Sequence, residues 1–372
     1  MKVCILGGGN IGMCLLGEIS RIKGFDVILY TSKSSYFDQE ILVEDTEKNI
    51  IFKSGNFEVT SNLEKAVKGA EFILCTVPAF LRKELITNLS PFIGQNTFLG
   101  FFPAYGGAEL FSKELIEKGI TIFGLQKVPY VARTKKIGKI AGLWSKKNKL
   151  YIASLPHSKA ENVKFFIENT LQVHCDILPN YLASTLLPGN PLLHTSGSYI
   201  YLNEFSKDHI FDEQIYYYRK WNNECSIFLC KMSDEMKNIC DSLPLDLSGV
   251  QTIQDYYDSS TPEILTEKFH TIPSFYNLTL PMKKTEKGFI VDYESRFYKE
   301  DIPFGLCAIK SLALITNVDV PTIDKVIHWY EKIANVQYYT KENKLGTNIN
   351  ETISYQLNGI KNKEDIKRFY QR

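Results

Sequence analysis

Short apolar runs alternate with segments of helical spacing over about the first 180 residues of the chain. The apolar runs lie at residues 3–6, 26–30, 71–77, 97–101, 121–125, 149–154 and 171–177. Continuous runs of this length are typical of strands that are buried on both faces of a parallel sheet. The segments between them have the apolar spacing of amphipathic helices. The pattern therefore predicts an α/β fold with a doubly wound parallel sheet.

The pattern changes near residue 180. Beyond it helical spacing dominates, and aromatic residues cluster around the run Tyr-Tyr-Tyr-Arg-Lys-Trp at residues 216–221. We therefore predict two domains, an α/β domain over residues 1–180 and an all-α, mainly helical domain over residues 181–372. The tyrosine cluster is interpreted as packing rather than as a ligand cage.

A glycine-rich turn follows the first apolar run. Gly7, Gly9 and Gly12 have G-x-G-x-x-G spacing, and a helical segment begins directly after them. In a dinucleotide site the first glycine permits the tight turn, the second lets the pyrophosphate approach the backbone, and the third lets the helix pack on the strand. Asn10 and Ile11 complete the turn, where helix amides would face the phosphates. This context predicts a Rossmann-type dinucleotide site rather than a plain glycine-rich turn.

The end of the second strand bears on the choice of coenzyme. Dinucleotide sites of this kind usually carry Asp or Glu there, which accepts hydrogen bonds from the ribose 2′-hydroxyl. Here the strand ends in Thr31, Ser32 and Lys33. A 2′-phosphate would be held by the lysine and the hydroxyls, so we expect NADP as the cofactor, with NAD as the alternative. The other interpretation of Lys33 is an ordinary solvated loop lysine.

Ligands of such folds bind at the carboxyl ends of the parallel strands. We therefore expect Thr76, Val77 and Pro78, which end one of the apolar runs, to lie against the cofactor. Gln126 and Arg133 follow another run and are predicted to meet a substrate. Alternatively, each of these two residues could be a surface residue whose hydrogen bonds are satisfied without a substrate.

The composition narrows the class of protein. With 43 basic and 42 acidic residues among 372, the formal net charge is +1. This charge gives no positive electrostatic field that would attract nucleic acid or an anionic membrane. No apolar stretch has the length of a membrane span or the form of a signal peptide, so we expect a soluble cytoplasmic protein. The eight cysteines form no C-x-x-C pair and are predicted to be buried reduced thiols, and no metal site is expected.

Two stretches of the second half contain polar side chains suited to acid–base chemistry. Asn190 and Pro191 precede His194, which is set between an apolar pair and small hydroxyl residues. A histidine titrates in the range that acid–base catalysis needs, although a satisfied core histidine is the common alternative. Arg296 and Asp301 lie in the stretch Ser-Arg-Phe-Tyr-Lys-Glu-Asp-Ile-Pro-Phe-Gly. There the alternative for Asp301 is a helix cap.

Together these motifs resemble the opine dehydrogenases, the octopine and nopaline group, which reductively join an α-amino acid and an α-keto acid. The resemblance covers nearly the whole chain and rests on the glycine-rich turn and on the two stretches of the second half. It implies that His194 and Asp301 form a catalytic pair and that Arg296 assists with the substrate carboxylate. Asn190 is placed in the substrate site. At the end of the second strand the chain departs from NAD-preferring members, which have an acidic residue there.

The expected reaction is an NAD(P)H-dependent reductive condensation that passes through an imine. A proton donor must expel water from the carbinolamine, and the imidazole of His194 is suited to this step. Asp301 would fix the tautomer of the ring, and Arg296 would hold the keto-acid carboxylate with a bidentate fork. Because the cofactor motif and this trio lie in different domains, we expect the active site in the cleft between them. The expected partners are the amino acid and the keto acid, and the expected assembly is a monomer or a homodimer.

Two other functions stay open on the sequence alone. A reductase of a simple 2-keto acid, of the ketopantoate reductase kind, shares the architecture but uses a lysine as the acid and needs no amine. A non-catalytic NADP-binding sensor would bind the cofactor without turning over any substrate.

Overall fold

The computed structural model of the chain describes residues 1–187 and 189–372, with only the backbone of residue 274. Two compact units are present, Met1–Thr185 together with Arg368–Arg372, and Leu186–Lys367. The division thus lies five residues beyond the predicted boundary at residue 180, and the last five residues belong with the first unit.

The first unit contains twelve strands and seven α-helices among its described residues. The strands are β1 (Lys2–Leu6), β2 (Asp26–Tyr30), β3 (Leu42–Asp45), β4 (Ile50–Lys53), β5 (Glu58–Thr60), β6 (Phe72–Cys75), β7 (Phe98–Phe101), β8 (Thr121–Leu125), β9 (Tyr130–Lys136), β10 (Ile140–Lys146), β11 (Lys149–Leu155) and β12 (His174–Ile177). The helices are α1 (Asn10–Ile19), α2 (Leu63–Val67), α3 (Ala79–Leu89), α4 (Ala108–Phe111), α5 (Lys113–Glu117), α6 (Ala160–Leu171) and α7 (Tyr181–Thr185).

Eight of these strands form the main sheet, in the order β12-β11-β8-β7-β6-β1-β2-β5. Neighbouring strands are parallel except β8 and β11, which run antiparallel. The predicted Rossmann-type sheet is therefore confirmed, with β11 and β12 running opposite to the other six strands. The strand order changes direction between β1 and β6, where Leu6 pairs with Cys75. Such a switch point opens a crevice at the carboxyl ends of the strands, and ligands of open α/β sheets bind there.

A second sheet of four strands, in the order β4-β3-β10-β9, was not predicted. Its strands β9 and β10 form an antiparallel hairpin, and β10 pairs parallel with β3. One face of this sheet packs against α1, where a Cβ on Gly17 would lie only 2.2 Å from a methyl carbon of Val43. The other face is exposed and carries lysines, so these strands lack the continuous apolar runs of the main sheet.

The core of the first unit lies between the main sheet and its helices. Val3, Ile5 and Leu15 are fully buried there. Phe72 stacks on Phe166 of α6, with ring centroids 3.7 Å apart. The burial of β1 on both faces explains why its sequence is a continuous apolar run.

The second unit is mainly helical, as predicted. Its helices are α8 (Asn190–Leu202), α9 (Asn223–Ser242), α10 (Ile253–Tyr256), α11 (Pro262–Thr271), α12 (Arg296–Lys299), α13 (Cys307–Thr316) and α14 (Pro321–Ala334). The hairpin of β13 (Met282–Thr285) and β14 (Gly288–Val291) is an exception to the all-α prediction. The last helix, α15 (Lys363–Tyr370), begins in the second unit and ends in the first. Across the described parts of the chain, no helix has both the length and the apolar character needed to cross a bilayer.

Candidate functional site

The glycine-rich turn joins β1 to α1 at the switch point of the main sheet. Gly7 has a φ of +108°, which is the left-handed region that favours glycine. A Cβ on Gly12 would lie 1.8 Å from the carbonyl oxygen of Gly7, so only glycine lets α1 pack on the turn. A Cβ on Gly9 would meet no atom within 4 Å. Open space therefore lies beside the first amides of α1, which have no acceptor within the helix and favour an anion.

The turn after β6 lies directly against the glycine-rich turn. The hydroxyl of Thr76 donates to the carbonyl oxygens of Leu6 and Gly7, at 3.0 and 3.1 Å. Val77 and Pro78 follow and lead into α3. The structure thus brings the three residues predicted after β6 beside the predicted phosphate-binding turn.

The turn after β2 is the third segment at this edge of the sheet. Thr31 is buried, and its hydroxyl oxygen accepts a hydrogen bond from the Lys33 amide at 3.2 Å. A Cβ on Gly8 would lie 3.2 Å from this hydroxyl oxygen, so the two turns are neighbours. Ser32 and Lys33 are exposed. Thr31 therefore shapes the turn, while the other two side chains are accessible to a ligand.

Two further predicted residues of the first helix have different surroundings. The carboxamide oxygen of Asn10 accepts a hydrogen bond from the Thr134 amide at 2.8 Å, which ties α1 to β9. Ile11 is half-buried and packs against the core of the first unit. The side chain of Asn10 is therefore used within the fold, and its backbone amide is the group that a ligand could meet.

The candidate substrate residues of the first unit lie in different sheets. Gln126 follows β8, is buried, and donates from Nε2 to the carbonyl oxygen of Ala183 at 3.3 Å. Arg133 lies on β9 of the smaller sheet, is exposed, and has its guanidinium 5.7 Å from the ring centroid of Trp144. Lys127, which the sequence analysis did not single out, is the neighbour of Gln126. Burial, together with the charge of Lys147, lowers the pKa of Lys127 to about 7.

In the second unit the structure brings His194 and Asp301 together. Nδ1 of His194, on α8, lies 2.8 Å from Oδ2 of Asp301. The side chains are 14% and 5% exposed, respectively. Burial raises the pKa of Asp301, while the hydrogen bond and charge of His194 oppose this shift. Because Asp301 engages Nδ1, the ring nitrogen left for other chemistry is Nε2.

Two aromatic side chains fix the imidazole. The ring of Phe297 stacks on that of His194, with centroids 3.8 Å apart and planes 6° apart. The buried hydroxyl of Tyr217 lies within hydrogen-bond distance of the carbonyl oxygens of Leu193 and His194, at 2.9 and 2.7 Å. A Cβ on Gly197 would lie 2.4 Å from this hydroxyl, so glycine is required one turn further along α8. The histidine is thus held through both its ring and its backbone.

The segment that carries Asp301 has an irregular helical backbone. The Asp301 amide donates to the carbonyl oxygen of Arg296, and the Leu306 amide donates to that of Asp301, each five residues back. Such wide turns inside helices occur frequently at functional sites. A Cβ on Gly305 would lie 2.5 Å from Cβ of Pro191, so this segment packs directly on the first turn of α8. Both sequence motifs of the second half therefore meet at one place.

Arg296 lies on the same segment, and its side chain is 59% exposed. Its Nε donates to the carboxylate of Glu300, which is 1% exposed. The charge of Arg296 is also among the influences that lower the pKa of Asp301. Asn190 is exposed at the first position of α8. The structure thus places all four predicted residues of the second unit on two contacting segments.

Sequence reasoning missed several residues that shape this cluster. Glu300 lies four residues after Arg296, a spacing at which side chains on a helix meet, and this signal was available. Phe297 lies within the quoted motif but has no feature that marks it as a stacking partner. Tyr217 was assigned only to packing among the tyrosines, because its hydrogen bonds to α8 depend on the tertiary fold.

No group of three or more His, Cys, Asp or Glu side chains suited to a metal ion occurs in the part of the chain that the structure describes. All eight cysteines are buried and unpaired, as predicted. Burial raises the pKa of each of these thiols, Cys75 and Cys307 being among the most enclosed.

Two family models match successive parts of the chain. Residues 2–109 match the N-terminal domain of NAD-dependent glycerol-3-phosphate dehydrogenase. Residues 177–334 match the alpha-helical domain of NAD/NADP octopine/nopaline dehydrogenase. The glycine-rich turn lies in the first match, and the His194–Asp301 pair lies in the second.

Similar proteins cover most of the chain. A tauropine dehydrogenase from Arabella iricolor is 25% identical in an alignment 394 residues long, which covers 97% of this chain and 98% of that protein. An opine dehydrogenase from Haliotis discus hannai is 28% identical over 322 residues, which cover 81% of this chain and 79% of that protein. A solved structure of octopine dehydrogenase with NADH and L-arginine has a TM-score of 0.85 at 20% identity, with 98% and 97% of the two chains covered. This last similarity shows a shared fold.

Proposed function

We propose that the chain is an opine dehydrogenase, which condenses an α-amino acid with an α-keto acid by NAD(P)H-dependent reduction of an imine. It is then an NAD(P)-dependent oxidoreductase acting on the CH–NH group of donors. The observation that carries the proposal is the 2.8 Å contact between His194 Nδ1 and Asp301 Oδ2. A buried imidazole oriented by a carboxylate is a proton donor and acceptor with a fixed direction.

His194 supplies the proton that the condensation needs. The amine adds to the keto carbon and gives a carbinolamine, whose hydroxyl leaves as water once it has received a proton. Nε2 of His194 donates this proton, since Nδ1 is held by Asp301. The imine that results carries the positive charge on nitrogen, and its carbon accepts a hydride. The product is a secondary amine that bears both carboxylates.

Asp301 orients the imidazole and stabilises its charged form. Its carboxyl is buried, and burial alone disfavours a carboxylate, so the charge of Asp301 depends on the neighbouring His194. The two groups therefore act as a unit. Phe297 and Tyr217 keep the ring in one orientation, which preserves the direction of proton transfer.

Arg296 is the group that we assign to the keto-acid carboxylate. Its side chain is more than half exposed, and the bond from Nε to Glu300 restricts its orientation. A guanidinium recognises a carboxylate through two parallel hydrogen bonds, which fixes the direction of the adjacent keto carbon. Asn190, exposed at the start of α8, is the nearest candidate in sequence for a second contact with substrate.

The residues of the glycine-rich turn fit a dinucleotide. The open space at Gly9 and the tight packing at Gly12 are the two features that a pyrophosphate beside α1 requires. We therefore assign the phosphates to the backbone at Gly7, Gly9 and residues 10–12. Thr76, Val77 and Pro78 line the neighbouring strand end. Bound NAD(P)H would supply the hydride.

We further propose that NADP is preferred over NAD. Ser32 and Lys33 are exposed at the end of β2, where an acidic residue would repel a 2′-phosphate. Thr31 contributes by shaping the turn through its bond with the Lys33 amide.

One observation favours a second candidate function, the reduction of a simple 2-keto acid. Enzymes of the ketopantoate reductase kind use a lysine as the acid, and burial lowers the pKa of Lys127 to about 7. Lys127 follows Gln126 at the carboxyl end of β8, and we keep Gln126 and Arg133 as candidate substrate contacts under both functions.

A screen of coenzyme oxidation separates these functions. Amino acids are crossed with pyruvate, 2-oxoglutarate, oxaloacetate and glyoxylate, and NADPH and NADH consumption is followed with each keto acid in the presence and absence of amine. Opine synthesis requires both substrates and is lost in His194→Ala but retained in Lys127→Met. Oxidation with a keto acid alone, lost in Lys127→Met, would establish the second candidate instead. Tight coenzyme binding without oxidation in any combination would indicate the sensor.

A further inference from the structure

We propose that Glu109 is a positioning residue that controls, through Arg82, two strand-end turns of the dinucleotide site. The inference rests on the proposed function in one respect, which is that these turns face a dinucleotide. All the contacts that carry it lie within the first unit.

Arg82 connects the two turns. Its buried side chain extends from α3, with Nε donating to the carbonyl oxygen of Val77 at 3.2 Å and Nη1 donating to that of Tyr105 at 2.5 Å. Val77 follows β6 and Tyr105 follows β7, and these two strands are neighbours in the main sheet. Next to Tyr105, Gly106 has a φ of +98°, and a Cβ there would lie 2.5 Å from Cβ of Ala79. One guanidinium therefore holds two turns at the edge of the sheet where ligands bind.

Glu109 lies on α4, directly after the second of these turns, and is 1% exposed. The hydroxyl of Tyr370 donates to its Oε1 at 2.8 Å. In the described part of the chain its Oε2 has no hydrogen-bond partner. A buried carboxyl oxygen without a partner is costly, and more so when the group is ionised.

The charged and titratable groups that face Glu109 come from two elements. Arg82 faces it from α3 and Tyr370 faces it from α15, while the buried thiol of Cys75 on β6 lies near Arg82. Burial raises the pKa of Glu109 from 4.5 to about 7, against the opposing effects of its own backbone amide, the Tyr370 hydrogen bond and the Arg82 charge. Glu109 therefore changes its charge near neutral pH.

The protonation of Glu109 decides what Arg82 binds. Below about pH 7 the carboxyl is neutral, and Arg82 is left to the carbonyl oxygens of Val77 and Tyr105. Above it the ionised carboxylate, with Oε2 unsatisfied, attracts the guanidinium and competes with both carbonyls. The two turns are then held less firmly, and dinucleotide affinity falls as the pH rises.

The primary test is the dissociation constant of NADH and of NADPH between about pH 6 and about pH 8.5, measured by fluorescence titration. In the unmodified protein we expect the dissociation constant to rise about fivefold over this pH range, which is at the lower end of typical coupling between two sites. Glu109→Gln should remove this rise. At every pH this variant should have the affinity that the unmodified protein has at the acidic end of the range. Glu114→Gln, the same change at an exposed position of α5, is the matched control and should behave as the unmodified protein. Comparing variants at each pH cancels the titration of the ligand itself.

Tyr370→Phe gives a second variant with a defined sign. Loss of its hydroxyl removes a bond that favours the ionised carboxylate, so the midpoint of the pH profile should move to higher pH. A merely structural role of Tyr370 would lower affinity at every pH without moving the midpoint, and that result would count against the proposal.

Hydrogen exchange provides a readout without dinucleotide. After correction for intrinsic exchange, amides of residues 77–82 and 103–109 should lose protection above about pH 7 in the unmodified protein but not in Glu109→Gln. If no pair of amino acid and keto acid is turned over while protection still follows Glu109, the proposed function fails and this inference stands. Parallel pH profiles of the unmodified protein and Glu109→Gln in both readouts would overturn the inference, whatever the turnover.

Discussion

The glycine-rich turn of the first unit and the His194–Asp301 pair of the second prepare their sites in opposite ways. The first relies on the absence of side chains, since Gly12 leaves no room for a Cβ and Gly9 leaves open space beside the amides of α1. The second relies on side chains from separate segments, with an imidazole held by a carboxylate and a stacked ring. In the proposed function, one site presents fixed backbone dipoles to an anion, while the other presents groups that exchange protons.

The two sites should therefore respond differently to substitution. In the glycine-rich turn any added bulk displaces the backbone that is proposed to bind the phosphates, so substitutions should act on affinity. In the His194 cluster a substitution can remove a proton donor or its orientation and leave the binding of a dinucleotide unchanged. Variants of the two sites should therefore separate affinity from turnover.

The largest effect is expected from Gly12→Val. The new Cβ would fall 1.8 Å from the carbonyl oxygen of Gly7, so the turn and the start of α1 must move apart. Dinucleotide binding, measured by calorimetry, should become undetectable. Gly24→Ala, at a position where an added Cβ meets nothing within 4 Å, is the control for glycine loss outside the site, with some strain from its positive φ. Unchanged affinity in Gly12→Val would break the assignment of this turn to the phosphates.

Asp301→Asn should act on turnover alone. The amide can still meet His194 but carries no charge to stabilise the imidazolium, so kcat should fall by about 10²- to 10³-fold, in the range of positioned acid–base groups. The dinucleotide dissociation constant should stay within about twofold of the unmodified value. Asp319→Asn, an exposed change in the same unit, is the control. A parallel loss of coenzyme affinity in Asp301→Asn would contradict the separation of the two sites.

Tyr217→Phe tests the support of His194 at a distance from the chemistry. The change leaves the carbonyl oxygens of Leu193 and His194 without the phenolic donor, at a cost of about 1–3 kcal/mol in the free energy of unfolding. Urea unfolding should show this loss, and kcat should fall by less than in Asp301→Asn. Tyr276→Phe, in which an exposed phenol is lost, should leave stability nearly unchanged. Equal stability of the two variants would show that the hydroxyl of Tyr217 does not hold α8.

Lys33→Ala should have the smallest effect, and it tests whether Lys33 selects NADP over NAD. Loss of one exposed cation beside a phosphate corresponds to about 1 kcal/mol, or roughly fivefold in the dissociation constant of NADPH. Affinity for NADH should not change, because NADH has no 2′-phosphate. Lys23→Ala, at another exposed position, is the control. An equal effect on both coenzymes would refute the role of Lys33 in selecting NADP.

The two sheets of the first unit differ in how far the sequence predicts them. Strands such as β1 and β6 are buried on both faces, so their residues form continuous apolar runs that identify a parallel sheet. The smaller sheet was missed because β9 and β10 expose part of their length, with Arg and Lys at the exposed positions of β9. A half-exposed strand rich in charge has a weak local signal, and its pairing with β3 depends on the tertiary fold.

The two sites differ in how far the sequence predicts them. The glycine-rich turn is local, and its spacing, with the strand before it and the helix after it, predicts the site. His194 and Asp301 are 107 residues apart, so only the family resemblance paired them. The roles of Tyr217 and Gly305 could not be predicted, because their contacts with α8 arise from the packing of distant segments.

The most direct test of the account is His194→Ala assayed in two ways on one preparation. Turnover with the best pair of amino acid and keto acid should fall by about 10³-fold or more, while the dissociation constant of the preferred coenzyme stays within about twofold. Turnover at the unmodified rate would contradict the assignment of His194 as the proton donor. Loss of coenzyme binding in step with turnover would contradict the division of labour between the two units.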